Sequence, residues 1–353
     1  MAITPLIRSG NRSVLVVLSA SIALLAIWPL ISLLNEAIQA SEGNFLQLSV
    51  DGGEQILGTF QLLIGSAFFG TVIGAANGWL LSNCRFPGRR WLRIAQLIPL
   101  ATPAYLLSAT LIDLGSRNGI LINGIGWGIA VMALSTYPYV FLLSTESFSV
   151  SGRRQLEACR SLGVGPWQAF RRVALPIALP AIGAGVALMG MEIVNELGAV
   201  ELLGIPSLSA GILEAWQAEG NPAGAIALAL VTLVIVLSLV AAERQLRQRS
   251  RRWSDGVAGG DATAWELKGS RAVAAQILGL LPPALSLGIP LCWGVVNLDQ
   301  LNQPQSEDLL AMVLRTFLLG LAAAVLAVLA SLILALAKRW IEAGWLKGLT
   351  FLA

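Results

Sequence analysis

The 353-residue sequence contains no histidine. The commonest general base and the commonest metal ligand are both missing, which excludes Ser–His nucleophilic chemistry and any histidine-built metal centre. Cysteine is scarce. Cys84, Cys159 and Cys292 lie far apart and form no C-x-x-C pair, so neither a disulfide framework nor a zinc site is expected. Charge is also short: Asp, Glu, Lys and Arg make up 12% of the chain, about half the share usual in soluble domains. No Walker A pattern occurs, so the sequence offers no phosphate cradle for ATP.

Apolar residues fill the space that charge leaves. They form 56% of the chain, and the mean hydropathy is +0.74. Length alone suggests roughly two domains, but a chain this apolar needs lipid as its solvent. A span takes about 20 apolar residues, and eight segments qualify: 14–34, 56–82, 94–114, 120–144, 175–197, 223–242, 273–296 and 309–337. Each is too long for a core strand, and a closed barrel would show short alternating strands instead. The expected fold class is all-α, a polytopic membrane helix bundle. The first segment follows Arg8 and Arg12, as a signal peptide would. Its apolar run exceeds the 7–15 residues of a signal core, and Ile38-Gln39-Ala40 is a poor cleavage site, so a retained first helix is expected.

Lys and Arg set the orientation. With a cytoplasmic N-terminus, all of the 23 basic residues except Arg117 and Arg315 fall in inner segments. The outer loops hold Glu36, Glu42, Asp51, Glu54, Glu214, Glu219, Asp299, Glu307 and Asp308. Topology thus accounts for the net charge of +3 without nucleic acid. An Arg-, Gly- and Ser-rich stretch at 244–270 is predicted to be a cytoplasmic linker between a first domain, 1–243, and a partial second one, 271–353. The Arg string in it reads as an inside anchor or as a contact for anionic lipid.

The segment after the linker resembles the beginning of the chain. Thr59-Phe60 is answered by Thr316-Phe317, Pro29 by Pro290, and Trp91-Leu92-Arg93 by Trp345-Leu346-Lys347. On that register Ala353 corresponds to Pro99, and the second unit is expected to stop with four of its six spans missing.

The inner loop at 146–175 carries the most specific pattern. A short helix at 156–162 is predicted to break at Gly163 and Gly165-Pro166, and a second helix follows at 167–172. Trp167 and Phe170 share a face of that second helix. Five arginines and exposed aromatics suit a docking knob for a soluble partner. The loop resembles the E-A-A-x3-G-x9-I-x-L-P signature of binding-protein-dependent ABC importer permeases. Glu157, Ala158, Gly163, Leu175 and Pro176 match it, while Cys159 replaces the second Ala and Val173 the Ile. Residues 192–204 and 207–216 are also similar to fused two-repeat ferric-iron permeases. Permeases for thiamine, sulfate and other small solutes share the architecture.

The resemblance implies a multi-pass plasma (inner) membrane permease that is not itself an enzyme and holds no cofactor. Its partners would be a dimer of ABC ATPase subunits, docked on the loop, and an extracytoplasmic substrate-binding protein. Glu192, Asn195 and Glu196 fall at i, i+3, i+4 on one face of the fifth span. Either they line the outward mouth of the path, with Glu192 and Glu196 briefly holding Fe³⁺, or the span ends earlier and they are solvated. Pro99, Pro103, Pro138 and Pro180 either interrupt helices to line a cavity or are the prolines common in any membrane helix. Gly65, Gly70, Gly74 and Gly78 are expected to allow close packing of the second span. The competing classes fit less well. A serine intramembrane protease needs His, an aspartyl one needs two buried Asp, and a channel needs a filter-like loop. A structural scaffold leaves the E-A-A pattern unexplained.

Overall fold

With no water to take up backbone polar groups, long apolar runs satisfy their N–H and C=O groups internally and form helices. The computed structural model describes residues 9–40, 52–150, 153–252, 265–298 and 306–340. The first helix is α1 (Ser9–Ala40). After it come α2 (Gly52–Asn83), the two-residue strand β1 (Cys84–Arg85) and α3 (Arg89–Ala95). A 3-10 turn, Ile98–Ala101, leads to α4 (Ala104–Arg117), followed by α5 (Ile125–Val150) and α6 (Arg153–Ser161). Next are α7 (Pro166–Ala169), a π turn at Phe170–Ala174 and α8 (Leu175–Asn195). Two short helices, α9 (Gly198–Leu202) and α10 (Leu208–Gln217), precede the long α11 (Pro222–Arg252). Strand β2 (Trp265–Glu266), α12 (Ser270–Pro283), a π turn at Ala284–Gly288, α13 (Ile289–Val296) and α14 (Ser306–Trp340) complete the order.

Among the described residues, seven helical segments are long and apolar enough to cross a membrane, eight if the third predicted span is counted as one broken element. That span is not the continuous helix expected over 94–114. Its two parts meet at 87°. Thr102, placed before Pro103, is pushed out of the helical region to φ −100°, ψ 110°, as Pro Cδ demands of its predecessor.

The chain forms two compact units, Met1–Phe45 with Asn297–Ala353, and Leu46–Val296. In the first, α1 and α14 touch, and α1 buries only small residues such as Ser19, Ala23 and Ala37. In the second, α2, α5 and α8 form the centre, and α11 packs along α8. Tyr137, Phe141, Met132, Met189, Ile193 and Leu62 are fully buried there. Glycine permits the close approaches. A Cβ on Gly74 would stand 2.8 Å from the carbonyl oxygen of Tyr137, and one on Gly185 would stand 2.7 Å from Cα of Val140. Gly65, Gly70 and Gly78 likewise face α5 or α8 side chains.

These units divide the chain elsewhere than 1–243, 244–270 and 271–353. The seventh span packs onto helices of the first segment. Gln96 Nε2 donates to the carbonyl of Gly279, Gln276 Nε2 to that of Pro87 at 3.0 Å, and Trp293 Nε1 to Asp113 Oδ2 at 2.6 Å. The stretch expected as linker begins within a helix. Helix α11 continues to Arg252, with an Arg247–Glu243 ion pair one turn apart. Beyond it, β2 pairs in parallel with β1, Cys84 opposite Trp265 and Arg85 opposite Glu266. The Gly- and Asp-rich part at 253–264, Trp345-Leu346-Lys347 and the acids Glu42, Asp51 and Asp299 lie outside the described residues.

Candidate functional site: docking loop and carboxylate pocket

Helix α6 ends as its sequence requires. Gly163 sits at φ +71°, a conformation that glycine enters without a Cβ penalty. Val164 N–H donates to the carbonyl of Cys159 and Gly163 N–H to that of Arg160, both at 2.9 Å. These are the paired bonds of a Schellman stop. Gly165 then turns extended, and Pro166 opens α7 at its first position. The helix predicted at 167–172 is not separate, because α7 runs through the π turn into α8. Pro176 has no N–H for the carbonyl four residues back, and the widened turn ahead of it takes up the misfit.

The loop presents two faces. Glu157, Ala158 and Pro176 are exposed, Leu175 is half-buried, and Trp167 is 67% exposed. Phe170 turns inward, contrary to the expectation of an exposed docking aromatic. Its ring lies 5.3 Å from Trp79 and 5.9 Å from Phe148, with Trp167 at 5.6 Å on its other side. Trp265 completes the cluster, 5.6 Å from Trp79. The Arg160 guanidinium stands 5.2 Å over the Trp265 ring, within the range of a cation–π contact. The tail of the linker therefore packs against this loop at Arg160 and against α2 at Trp79.

At the other end of α8, about 25 Å along the helix from Leu175, lies a cavity of about 170 Å³. Its polar lining comprises Thr102, Ser135, Thr136, Tyr139, Glu192 and Glu196. Tyr139 Oη donates to Glu192 Oε2 at 3.3 Å. Helix α8 stops at Asn195, and Glu196 is extended at φ −72°, ψ 124°, so Glu196 is not on the helical face that the i, i+4 spacing implied. Its Oε1 accepts from Ala199 N–H at 2.9 Å and so caps α9, while its carbonyl accepts from Ser209 Oγ at 2.6 Å. Thr102 Oγ1 and Ser135 Oγ are buried without a hydrogen-bond partner, an arrangement that favours a polar guest. No Lys or Arg lines the cavity. Among the described residues, no group of three or more His, Cys, Asp or Glu side chains is placed to hold a metal ion.

A family model, the binding-protein-dependent transport system inner membrane component, matches residues 70–252. The chain belongs to this family. It is a multi-pass inner-membrane permease. The sulfate transport system permease protein CysT of Escherichia coli is 31% identical over 194 residues, 51% of this chain and 69% of that protein. The Fe(3+)-transport system permease protein FbpB 2 of Haemophilus influenzae is 27% identical over 204 residues, 57% of this chain but 39% of that protein. A chain of the MetNI methionine ABC transporter has 22% identity and a TM-score of 0.46, with 55% of this chain and 94% of that one covered.

The permease brings Glu192 and Glu196 to one pocket with Pro99 and Pro103. Asn195 is exposed, donates back to the carbonyl of Met191 at 2.9 Å, and does not line the cavity. Pro138 and Pro180 stay inside α5 and α8. Sequence reasoning missed Thr102, which the bend at Thr102–Pro103 brings to the pocket, and Ser135 and Tyr139, which α5 itself contributes. It missed Trp265 as well. The only signal there was a tryptophan closing a stretch otherwise low in apolar residues.

Proposed function

We propose that the protein is the translocation subunit of an ABC importer, that the loop from Arg153 to Pro176 docks on a separate ATPase, and that its cargo passes the Glu192–Glu196 pocket as a cation, ferric iron being the first candidate. The docking reading rests on the geometry of the loop. The glycine-stopped α6 projects Glu157 and Ala158 to solvent and α7 projects Trp167, while Leu156, Ala169 and Phe170 anchor the loop. An extracytoplasmic binding protein would deliver the solute at the opposite end.

The observation that carries the cargo reading is the charge of the pocket: two carboxylates, four hydroxyl side chains and no cationic side chain among its lining residues. Carboxylate oxygens are hard ligands suited to a hard cation. Two carboxylates without a third acidic, Cys or His ligand would attract an ion without trapping it. A sulfate ion would meet like charge there. The second reading, an oxyanion such as sulfate, is favoured by the 31% identity to a sulfate permease. Uptake of labelled ferric iron, sulfate and thiamine by cells carrying the permease with its ATPase and binding protein separates the readings. Iron uptake with neither sulfate nor thiamine uptake supports the first, and sulfate uptake overturns it.

Orientation is testable independently. The positive-inside pattern places 153–176 in the cytoplasm, so thiol reagents should reach single cysteines there only from inside. Burial pushes the native Cys84 thiol up to about 11, against a smaller lowering by Arg89. Buried and with a raised pKa, Cys84 should react slowly with maleimide, whereas Cys159 and Cys292 are accessible and are replaced before single cysteines are introduced.

A further inference from the structure

A basic cavity of about 1040 Å³ has no part in the transport reading. It lies between the turn that follows α2 and the chain entering α12. Its charged lining consists of Arg85, Arg89, Arg90, Arg93 and Lys268 against the single carboxylate of Glu266. Arg89 is committed to the end of α2, donating to the carbonyls of Leu81 at 2.7 Å and Ser82 at 2.8 Å. Lys268 meets Glu266 at 3.2 Å with both side chains largely in solvent, a pairing of little strength. Arg90 and Arg93 project from exposed positions on α3.

The surroundings of this basic cavity are apolar and unpacked. Trp91, 78% exposed, and Ile94 stand beside the arginines on α3. From the cavity wall at Ala272, α12 leads away with Val273, Ile277, Leu280 and Leu281 all exposed. Their spacing of i, i+4, i+7, i+8 makes one stripe about 12 Å long. A cationic recess, an interfacial tryptophan and an adjoining apolar helix face together match a molecule with an anionic head and hydrocarbon tails.

We propose that this cavity is a binding site for an anionic glycerophospholipid, its phosphodiester held by Arg90, Arg93 and Lys268 and an acyl chain laid along the α12 stripe. The site adjoins the docking loop. Trp265, which carries Arg160 on its ring, immediately precedes the cavity residue Glu266. A lipid bound there would brace the strand that supports the loop. The proposal does not depend on which solute is carried.

Native mass spectrometry of the full chain in detergent tests it, with phosphatidylglycerol, phosphatidylcholine and inorganic phosphate as probes. Phosphatidylglycerol should be retained about tenfold more than phosphatidylcholine. Millimolar phosphate should not displace it, because the tails contribute. The triple variant Arg90→Gln/Arg93→Gln/Lys268→Gln should bring retention down to the phosphatidylcholine level. Each single change should cost about twofold, the three together accounting for the preference. All three side chains are exposed, so their removal leaves the core intact. The control Arg171→Gln/Arg172→Gln, which removes two exposed cations outside the cavity and outside the Arg string at 244–252, should keep full retention. Equal loss in the control, equal retention of the two lipids, or displacement by phosphate alone would overturn the proposal. The first of these would mean diffuse charge and the last a free-anion site. An acidic protein surface as the true occupant would appear as the absence of lipid selectivity.

Discussion

Helices α5 and α14 are both long and apolar, yet over half of the most apolar stretch of α5 is buried in the structure and none of that of α14 is. Hydropathy does not distinguish them in that sense; α14 is the more apolar of the two. What differs is the small and polar content. Helix α5 buries Ser135, Thr136, Tyr137, Ser144, Thr145 and Ser147, and α2 and α8 meet it at glycines. Helix α14 is mostly Leu, Ala and Val, which lipid tails solvate as well as protein does. In a membrane, apolarity places a helix in the bilayer, whereas small residues and hydroxyls decide which helices meet.

The strongest break of this comparison is a matched pair of glycine substitutions. Gly185→Leu would drive a side chain into the α5 backbone at Val140. Overpacking alone costs about 1–3 kcal/mol, and a backbone obstacle cannot yield by changing rotamer. Loss of the folded, monodisperse protein on size exclusion is the expected result. Gly320→Leu on α14, where a Cβ meets nothing within 4 Å, should leave the melting temperature unchanged. Equal behaviour of the two variants would remove the distinction between the helices.

A second test addresses the pocket where α8 leaves the packed centre. Glu192→Gln/Glu196→Gln keeps size and hydrogen bonding but removes both charges. Iron uptake should fall tenfold or more, while ATPase co-purification stays unchanged because the loop lies at the other end of α8. Weakening of the α9 cap should cost about 1 kcal/mol or less. Unchanged uptake would make the two groups helix-end charges only.

The third prediction moves to the loop. Gly163→Val must hold a β-branched residue at φ +71°, a strain of about 1–3 kcal/mol, although the space around it is open. ATPase co-purification should drop severalfold with normal membrane insertion. Gly163→Asn, which tolerates the left-handed region, should retain most of it. Equal loss in both variants would mean that side-chain bulk matters there, not the turn.

Much of this was legible in the residues. Runs of about 20 apolar residues mark the spans, and the Glu157–Gly163 spacing marks the stop of α6, because both are local properties of consecutive residues. The bend in the third span was half legible. Pro99 and Pro103 signalled an interruption, but the turn angle depends on what Thr102 packs against. The inward turn of Phe170 and the strand at Trp265 were not legible. Both are set by contact with Trp79, 186 residues away from Trp265 in sequence. The i, i+4 reading of Glu192 and Glu196 brought the right pair together for an incomplete reason. The helix ends between them, and α9 holds Glu196 in place.

The smallest expected effect concerns Trp265, where a segment with little apolar character regains a packed role. A cation–π contact at a partly exposed site contributes about 0.5–1 kcal/mol, and the ring also fills space against Trp79. Trp265→Ala should therefore lower stability modestly and loosen the footing of Arg160 without unfolding α2, α5 and α8, whose close contacts at Gly74 and Gly185 do not involve it. Stimulation of the ATPase by the loaded binding protein should drop by two- to fivefold, while basal hydrolysis and co-purification change less. Trp265→Phe keeps an aromatic face under Arg160 and should restore most of the stimulation. Arg160→Gln should match Trp265→Ala, and the double variant should be no worse than either single one if the two side chains act through one contact. Additive losses would show that Trp265 supports the loop only by filling space. The packed centre of α5 and α8 and the support beneath the loop would then be the same kind of structure, differing in degree alone.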